Sequence, residues 1–176
     1  MRRLAFALVA VAAAALAWVG WRALRPAPSD EAQIRALLER AAEAAGEKRV
    51  GDAVADLSDR FQGEGLDRQG AKQLVALHVL RGTWVSVAVT GARIAPEGDA
   101  ARAAVDVLLS RGGKGARLAD LLPEQASVHR FQLALEREPG GWKVVRARWR
   151  PVTLEEATAG PELADAPGAP APSPTR

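Results

Sequence analysis

The sequence contains no cysteine. This absence excludes thiol catalysis, thiolate zinc sites, disulfide bonds and the attachment of a lipid to a cysteine side chain. The two histidines, His78 and His129, do not occur in the His-x-x-x-His or Glu-x-x-His spacing of metal-binding helices. Because transition metals need clustered thiolate, imidazole or carboxylate ligands, we expect neither a metal site nor another cofactor.

The chain from Ser29 onward also lacks an excess of positive charge. Four of the 24 Lys and Arg residues precede Asp30, the first acidic residue, so 20 basic residues remain against 21 acidic residues. A nucleic-acid-binding domain would carry a basic excess, and we therefore expect no nucleic-acid partner. The length of 176 residues, with 48% hydrophobic residues, fits one globular domain.

One long hydrophobic run lies in the first 22 residues. Residues 4–21 are uncharged, and as a helix they would span about 27 Å, close to the hydrocarbon thickness of about 30 Å. Trp18 and Trp21 lie where an interfacial aromatic belt is expected, beside Arg22. We predict an uncleaved membrane anchor over residues 1–22. The alternative is a signal peptide cleaved after Ala15-Leu16-Ala17.

The predicted location follows from this segment. The chain has no asparagine or tyrosine and only two isoleucines, a bias against AT-rich codons that indicates a high-GC bacterial gene. We predict a single anchor in the bacterial inner membrane, with the N-terminus inside and the body in the periplasm. Cleavage would instead release the body into the periplasm. Residues 23–29, with two prolines, form a stiff spacer.

Helical periodicity dominates the first half of the body. Asp30 is predicted as the N-cap of a first helix, with Gln33 at the position of a capping box, and Gly46 ends it. Val50, Val54, Leu57 and Phe61 recur at helical spacing and predict a second short helix. Asp67 caps a third helix, predicted over residues 68–80.

Alternating hydrophobic residues follow and predict strands over about residues 84–94, 101–110, 129–135 and 142–150. Helices first and strands last indicate an α+β fold, with N-terminal helices packed on a curved antiparallel sheet of about four strands. The domain is predicted to cover residues 30–152. Residues 153–176 are rich in Ala and Pro and are predicted to be a disordered tail.

This order of elements resembles the nuclear transport factor 2-like superfamily, which includes the SnoaL-like cyclases and the ketosteroid isomerases. The resemblance rests on the opening amphipathic helix, on Leu57-Ser58-Asp59-Arg60-Phe61 and on the strand Gly141–Trp149. Phe61-Gln62-Gly63, with Leu66-Asp67-Arg68 and Leu80-Arg81, is similar to uncharacterised membrane-anchored bacterial members. The resemblance covers roughly residues 30–152 and implies a cone-shaped, cystatin-like fold.

The resemblance suggests three candidate catalytic residues. Isomerase-like members pair an acidic base with a tyrosine, and this chain has no tyrosine. Asp106 is the candidate for the acidic base. Dehydratase-like members use an Asp–His pair, for which His129 and His78 are the candidate histidines. The alternative is that both histidines are ordinary core or edge residues. Asp106 would then lie on a solvated outer face, paired with an arginine of a neighbouring strand.

Two groups of residues are candidates for binding. Phe61, Trp84 and Phe131 are predicted to line a ligand pocket inside the cone. The candidate interface residues lie in the long connection after Ser110 and along the last strand: Arg117, Leu121, Leu122, Arg146, Arg148 and Arg150. This interface would meet a second copy of the chain, an envelope protein or an anionic membrane surface.

These observations favour a membrane-anchored periplasmic binding or protein-interaction module without catalytic activity. The first alternative is an isomerase- or cyclase-like enzyme that acts on a small apolar ligand in the cone. The second alternative is a structural subunit of an envelope complex. A cavity that brings a histidine and a carboxylate together would favour the enzyme, whereas a filled cone would exclude it.

Overall fold

The computed structural model of the chain describes residues 28–81, 86–110 and 126–164. The predicted membrane anchor and nearly all of the spacer lie outside these residues, as do Trp84, Arg117, Leu121 and Leu122. Across the described ranges, no helix is both long and apolar enough to cross a bilayer.

Four helices and six strands are seen in this part of the chain. The helices are α1 (Asp30–Gly46), α2 (Val50–Ala53), α3 (Arg68–Leu80) and α4 (Leu154–Ala159). The strands are β1 (Leu57–Gly63), β2 (Leu66–Asp67), β3 (Ser86–Glu97), β4 (Ala100–Ser110), β5 (Ala126–Glu138) and β6 (Gly141–Val152).

The six strands form one mixed sheet in the order β2-β1-β6-β5-β4-β3. All neighbouring strands are antiparallel except β1 and β6, which are parallel. The prediction of an α+β fold with helices on one sheet is confirmed, but the prediction of about four antiparallel strands is wrong. The two additional strands, β1 and β2, precede α3 in the chain and pair at the edge beyond β6.

The second predicted helix is the source of that difference. Only Val50–Ala53 is helical, and Leu57 and Phe61 belong to β1. Residues four apart lie on one face of a helix, and because four is an even number they also share one face of a strand. The spacing of Leu57 and Phe61 therefore could not distinguish the two structures.

Two helix starts were predicted from capping residues. The prediction for α1 is displaced by one residue, because Ser29 is the N-cap and accepts a hydrogen bond from the Ala32 amide at 3.2 Å. Asp30 is the first helical residue and forms an ion pair with Arg137. The prediction for α3 is confirmed, since Asp67 accepts a hydrogen bond from the Gly70 amide at 2.7 Å.

The main core lies between α1 and one face of the sheet, which we call the inner face. Ile34 and Leu37 of α1 are buried there against alternate residues of the strands. The buried strand residues of this cluster are Phe61, Ala101, Ala103, Val105, Leu133, Leu135, Trp142, Val144 and Ala147. The opposite side of the sheet is called the outer face.

An irregularity in β6 decides which of its residues face inward. Arg146 is paired with Ala134, but Val144 is paired with Leu135, so that Val145 is an additional residue in β6. A β-bulge of this kind shifts the alternation of side chains along the strand. As a result Val144 and Trp149 both contribute to the inner face although they are five residues apart.

The chain continues beyond β6 as an ordered segment, residues 153–164, which we call the strap. The prediction that the disordered tail begins at residue 153 is therefore wrong for these residues. Thr153 and Glu156 form a capping box that starts α4, in which the Thr153 hydroxyl accepts from the Glu156 amide at 3.2 Å. This interaction offsets the weak burial of a short helix. The predicted tail from residue 165 onward lies outside the described residues.

Candidate functional site

A cavity of about 680 Å³ lies between the helices and the inner face of the sheet. Its walls are mostly apolar, with side chains from α1 (Leu37, Leu38, Ala41), from α3 (Ala71, Leu74, Val75) and from the strands (Leu57, Leu109, Leu133, Val144). The volume is in the range of small-molecule sites, which are typically about 300–1,000 Å³ and predominantly hydrophobic. The side chains of residues 28–81, 86–110 and 126–164 thus leave the space inside the cone unfilled.

Three aromatic side chains contribute to the cavity wall. Phe61 and Phe131, both predicted as pocket residues, line the cavity together with Trp149. The rings of Phe131 and Trp149 are 6.0 Å apart between centroids and tilted by 32°, a separation at which aromatic rings attract one another. Trp149 was not predicted, because its inward orientation depends on the bulge in β6.

Both histidines line the same cavity, His78 from α3 and His129 from β5. Burial lowers the pKa of His129 below its ordinary value, and the neighbouring His78 imidazole lowers that pKa further. His129 is therefore neutral at pH 7. Its Nδ1 atom is buried and has no hydrogen-bond partner among the described residues. A neutral imidazole of this kind can accept or donate one hydrogen bond.

Asp106 does not belong to the cavity. It lies on the outer face, opposite Arg130 in the β4–β5 register, and is 0% exposed. The Arg130 Nε and Nη2 atoms donate to the two carboxylate oxygens at 2.7 and 2.8 Å. The expected arginine partner is thus present, but the expected solvation of this face is wrong at Asp106. Its carboxylate is committed to Arg130 and is separated from both histidines by the sheet.

The carboxylate that does line the cavity is Asp56, which was not predicted. Its oxygens lie 2.9 Å from Lys143 Nζ and 3.5 Å from Arg40 Nη2. Both contacts are ion pairs, so the carboxylate is already partnered within the protein. Among the residues that the structure describes, no group of three or more His, Asp or Glu side chains is arranged to hold a metal ion.

The arginines of β6 lie on the opposite side of the sheet from the cavity. Arg146, Arg148 and Arg150 alternate along the strand, and all three are exposed. Arg150 forms an ion pair with Glu156 of α4 at 3.0 Å. Arg146 and Arg148 border a second, polar groove of about 710 Å³ beside the turn between β1 and β2. The three arginines share one face, and their role as an interface stays a prediction.

Solved structures match the fold of this chain. One is a nuclear transport factor 2-like protein of unknown function from Pseudomonas putida, which is 19% identical, with 74% of this chain and 94% of that chain covered and a TM-score of 0.55. Another is a nuclear transport factor 2-like protein with a cystatin-like fold from Novosphingobium aromaticivorans, at 19% identity, 74% and 86% coverage and a TM-score of 0.55.

A protein with a cystatin-like fold from Caulobacter vibrioides is 12% identical, with 72% and 92% coverage and a TM-score of 0.54. No protein-family profile matches the sequence, and no curated protein matches it either. At these identities the likeness concerns the fold alone. The predicted cystatin-like fold is confirmed.

Proposed function

We propose, from the nuclear transport factor 2-like fold of this chain and its open cone, that the protein binds a small, mostly apolar molecule. The bound molecule would lie between α1, α3 and the inner face of the sheet. The cavity of about 680 Å³ carries this proposal, because apolar surface buried in an open cavity is a favourable environment for an apolar ligand.

The ligand is expected to carry one polar group. His129 supplies a buried Nδ1 without a partner among the described residues, and an unpaired buried polar atom costs about 1–3 kcal/mol. A hydroxyl or carbonyl of the ligand would satisfy it. The aromatic pair of Phe131 and Trp149 favours a planar or cyclic apolar body.

Two substitutions in α3 test this proposal. Leu74 lines the cavity, whereas Leu77, one helical turn away, is 41% exposed. Leu74→Trp should fill the cavity, and Leu77→Trp adds the same indole to the surface. Native mass spectrometry of the full chain, released from a mild detergent, should show a small retained molecule in the unaltered chain and in Leu77→Trp, but not in Leu74→Trp.

The same pair can be compared with 1-anilinonaphthalene-8-sulfonate, a dye whose aromatic rings bind apolar sites and which carries one sulfonate. We expect the affinity for the dye to fall by about tenfold or more in Leu74→Trp, which corresponds to about 1.4 kcal/mol, and to be unchanged in Leu77→Trp. Equal dye binding by the two variants, together with the absence of any retained molecule, would contradict a ligand site in the cone.

Catalysis in the same cavity is the second candidate function. The observation that favours it is that His78 and His129 line the same cavity, since a neutral imidazole can serve as a general base. Incubation of the retained molecule with the protein in D₂O would show deuterium incorporation if proton transfer takes place. His129→Gln should abolish the incorporation while ligand retention persists. A ligand recovered without deuterium would argue for binding alone.

The proposed location is the periplasmic side of the bacterial inner membrane, with residues 4–21 as the anchor. The uncharged run with its flanking arginines and tryptophans supports this location. Protease added to intact spheroplasts should digest the body, and the chain should stay in the membrane fraction after a carbonate wash. Recovery of the whole chain in the periplasmic extract would instead indicate a cleaved signal peptide.

A further inference from the structure

The outer face of the sheet holds the strap through a buried arginine. Arg130 is 8% exposed, and its guanidinium is fixed by the two hydrogen bonds to Asp106. The Nη2 atom also donates to the carbonyl oxygens of Glu156 at 2.8 Å and Gly160 at 3.1 Å. The Nη2 group of Arg130 is therefore held in a fixed orientation in which it donates to main-chain carbonyls of a segment packed on the outer face.

Gln132, two residues further along β5, presents a second main-chain contact on the same face. Its Nε2 atom donates to the Glu162 carbonyl at 2.8 Å, and its Oε1 atom accepts from the Ala164 amide at 3.3 Å. One side-chain amide thus bonds a carbonyl and an N–H of the same extended segment. A neighbouring β-strand offers an extended chain the same pair of groups.

Gly91 of β3 provides the third part of this surface. A Cβ atom at this position would lie 3.0 Å from the Cδ atom of Pro161, so the missing side chain leaves room for the proline ring. Glycine inside a strand often marks such a close approach. The contact needs a residue without a side chain at position 91 and accommodates the proline ring there.

These contacts involve the main chain and one proline side chain of the strap. The groups that bind are carbonyl oxygens, one amide and the ring of Pro161. The side chains of Glu162 and Ala164 are exposed. Main-chain recognition of this kind gives affinity for an extended segment with little dependence on its other side chains.

We propose that Gly91, Arg130 and Gln132 form a binding site for an extended, proline-containing peptide segment, and that residues 160–164 occupy this site in cis. An extended segment of a partner protein with a small residue before a proline would offer the same main-chain carbonyls, the same amide and the same proline ring. The resident segment is tethered, which raises its effective concentration to about the millimolar range. A peptide in trans therefore binds well only when the strap is loosened.

The test uses the full chain with two substitutions in the strap, Gly160→Val and Ala164→Pro. Gly160 has a φ of +86°, which a valine disfavours, and proline at position 164 removes the N–H that Gln132 binds. The probe is a fluorescein-labelled peptide with the sequence of residues 158–164, followed by fluorescence anisotropy. We expect the loosened chain to bind it at least about tenfold more tightly than the unaltered chain.

Two site variants and two peptides serve as controls in the loosened chain. Gln132→Ala and Gly91→Val should each reduce binding of the labelled peptide by about tenfold, since each removes one part of the site. A peptide with lysine and serine in place of the exposed Glu162 and Ala164 should bind within about threefold of the original. A peptide with alanine in place of Pro161 should bind more weakly.

The proposal is wrong if the loosened chain does not bind the peptide although it keeps its circular dichroism spectrum and melting temperature. It is also wrong if the unaltered and loosened chains bind the peptide equally. Undiminished binding by Gln132→Ala would place the peptide elsewhere. Loss of binding with the lysine and serine peptide would show that side chains, rather than the backbone, are recognised.

Discussion

The two faces of β4 and β5 are built from alternating residues of the same strands and differ in almost every property. On the inner face, Leu109, His129 and Phe131 line a largely apolar cavity. On the outer face, Asp106 and Arg130 form a buried ion pair beneath the strap. The polar residues in mid-strand therefore serve packing on the outer face, while the two histidines face the space that a ligand can enter.

The largest expected effect comes from breaking the outer pair. Asp106→Ala leaves the Arg130 charge buried without its carboxylate, and we expect the free energy of unfolding to fall by about 3–5 kcal/mol. Urea unfolding of the full chain measures this loss. The matched control is Glu97→Ala, which breaks an ion pair with Arg102 whose side chains are 35% and 59% exposed and should cost only about 0–1 kcal/mol. Equal losses in the two variants would show that burial of the pair contributes nothing.

A smaller effect is expected from the strap alone. Thr153→Ala removes the capping box of α4 and should destabilise the helix by about 1 kcal/mol. Amide hydrogen exchange in residues 154–164 should become about fivefold faster, with the cavity-lining strands unchanged. Thr158→Ala is the control, because its hydroxyl bonds the Leu154 carbonyl within the helix and caps nothing. Faster exchange in β5 as well would show that the two faces are not independent.

The inner face should show its own pH dependence. Because the folded-state pKa of His129 is lowered, its unfolded form takes up a proton first, and the stability present at neutral pH is lost as the pH falls below about 6.5. His129→Gln should flatten the change in unfolding free energy between pH 7.5 and 5.5. His78→Gln should flatten it only in part, since burial is the larger cause. An unchanged pH profile in His129→Gln would contradict the assignment.

The smallest effect on stability is expected at the exposed arginines of β6. Arg148→Glu should change the unfolding free energy by no more than about 0.5 kcal/mol. If this face meets an envelope partner, the same variant should lose that partner in cross-linking of intact membranes, because the charge is reversed. Arg93→Glu, on β3, is the matched control. Retention of every cross-linked product by Arg148→Glu would argue against an interface at this place.

Much of the architecture was accessible from local sequence signals. The bounds of α3 agree with the prediction because a capping residue, Asp67, and a clear helical period coincide. The last four strands were found because alternation and turn residues agree. The strap was missed, although Thr153 and Glu156 have the spacing of a capping box.

The remaining features depend on contacts between residues distant in sequence. The bulge in β6 turns Trp149 toward the cavity, and no residue of that strand signals it. The burial of Asp106 depends on the register that places it opposite Arg130 and on the strap that passes above. Strand register and burial beneath the strap arise only in the assembled sheet. Local sequence patterns therefore do not determine them.

The ion pair between Asp30 and Arg137, at 2.5 Å, joins residues 107 positions apart in the chain, and the guanidinium of Arg137 lies 4.5 Å above the ring of Trp142. Before such a long-range contact can form, a large loop of chain must close, and the entropy lost in closing it slows folding. During synthesis α1 leaves the ribosome early, and although α2 and β3 can pack against it once they are made, its ion pair with Arg137 forms only when β5 follows. Until the last two strands are added, the unfinished chain exposes apolar surface that the finished cone encloses.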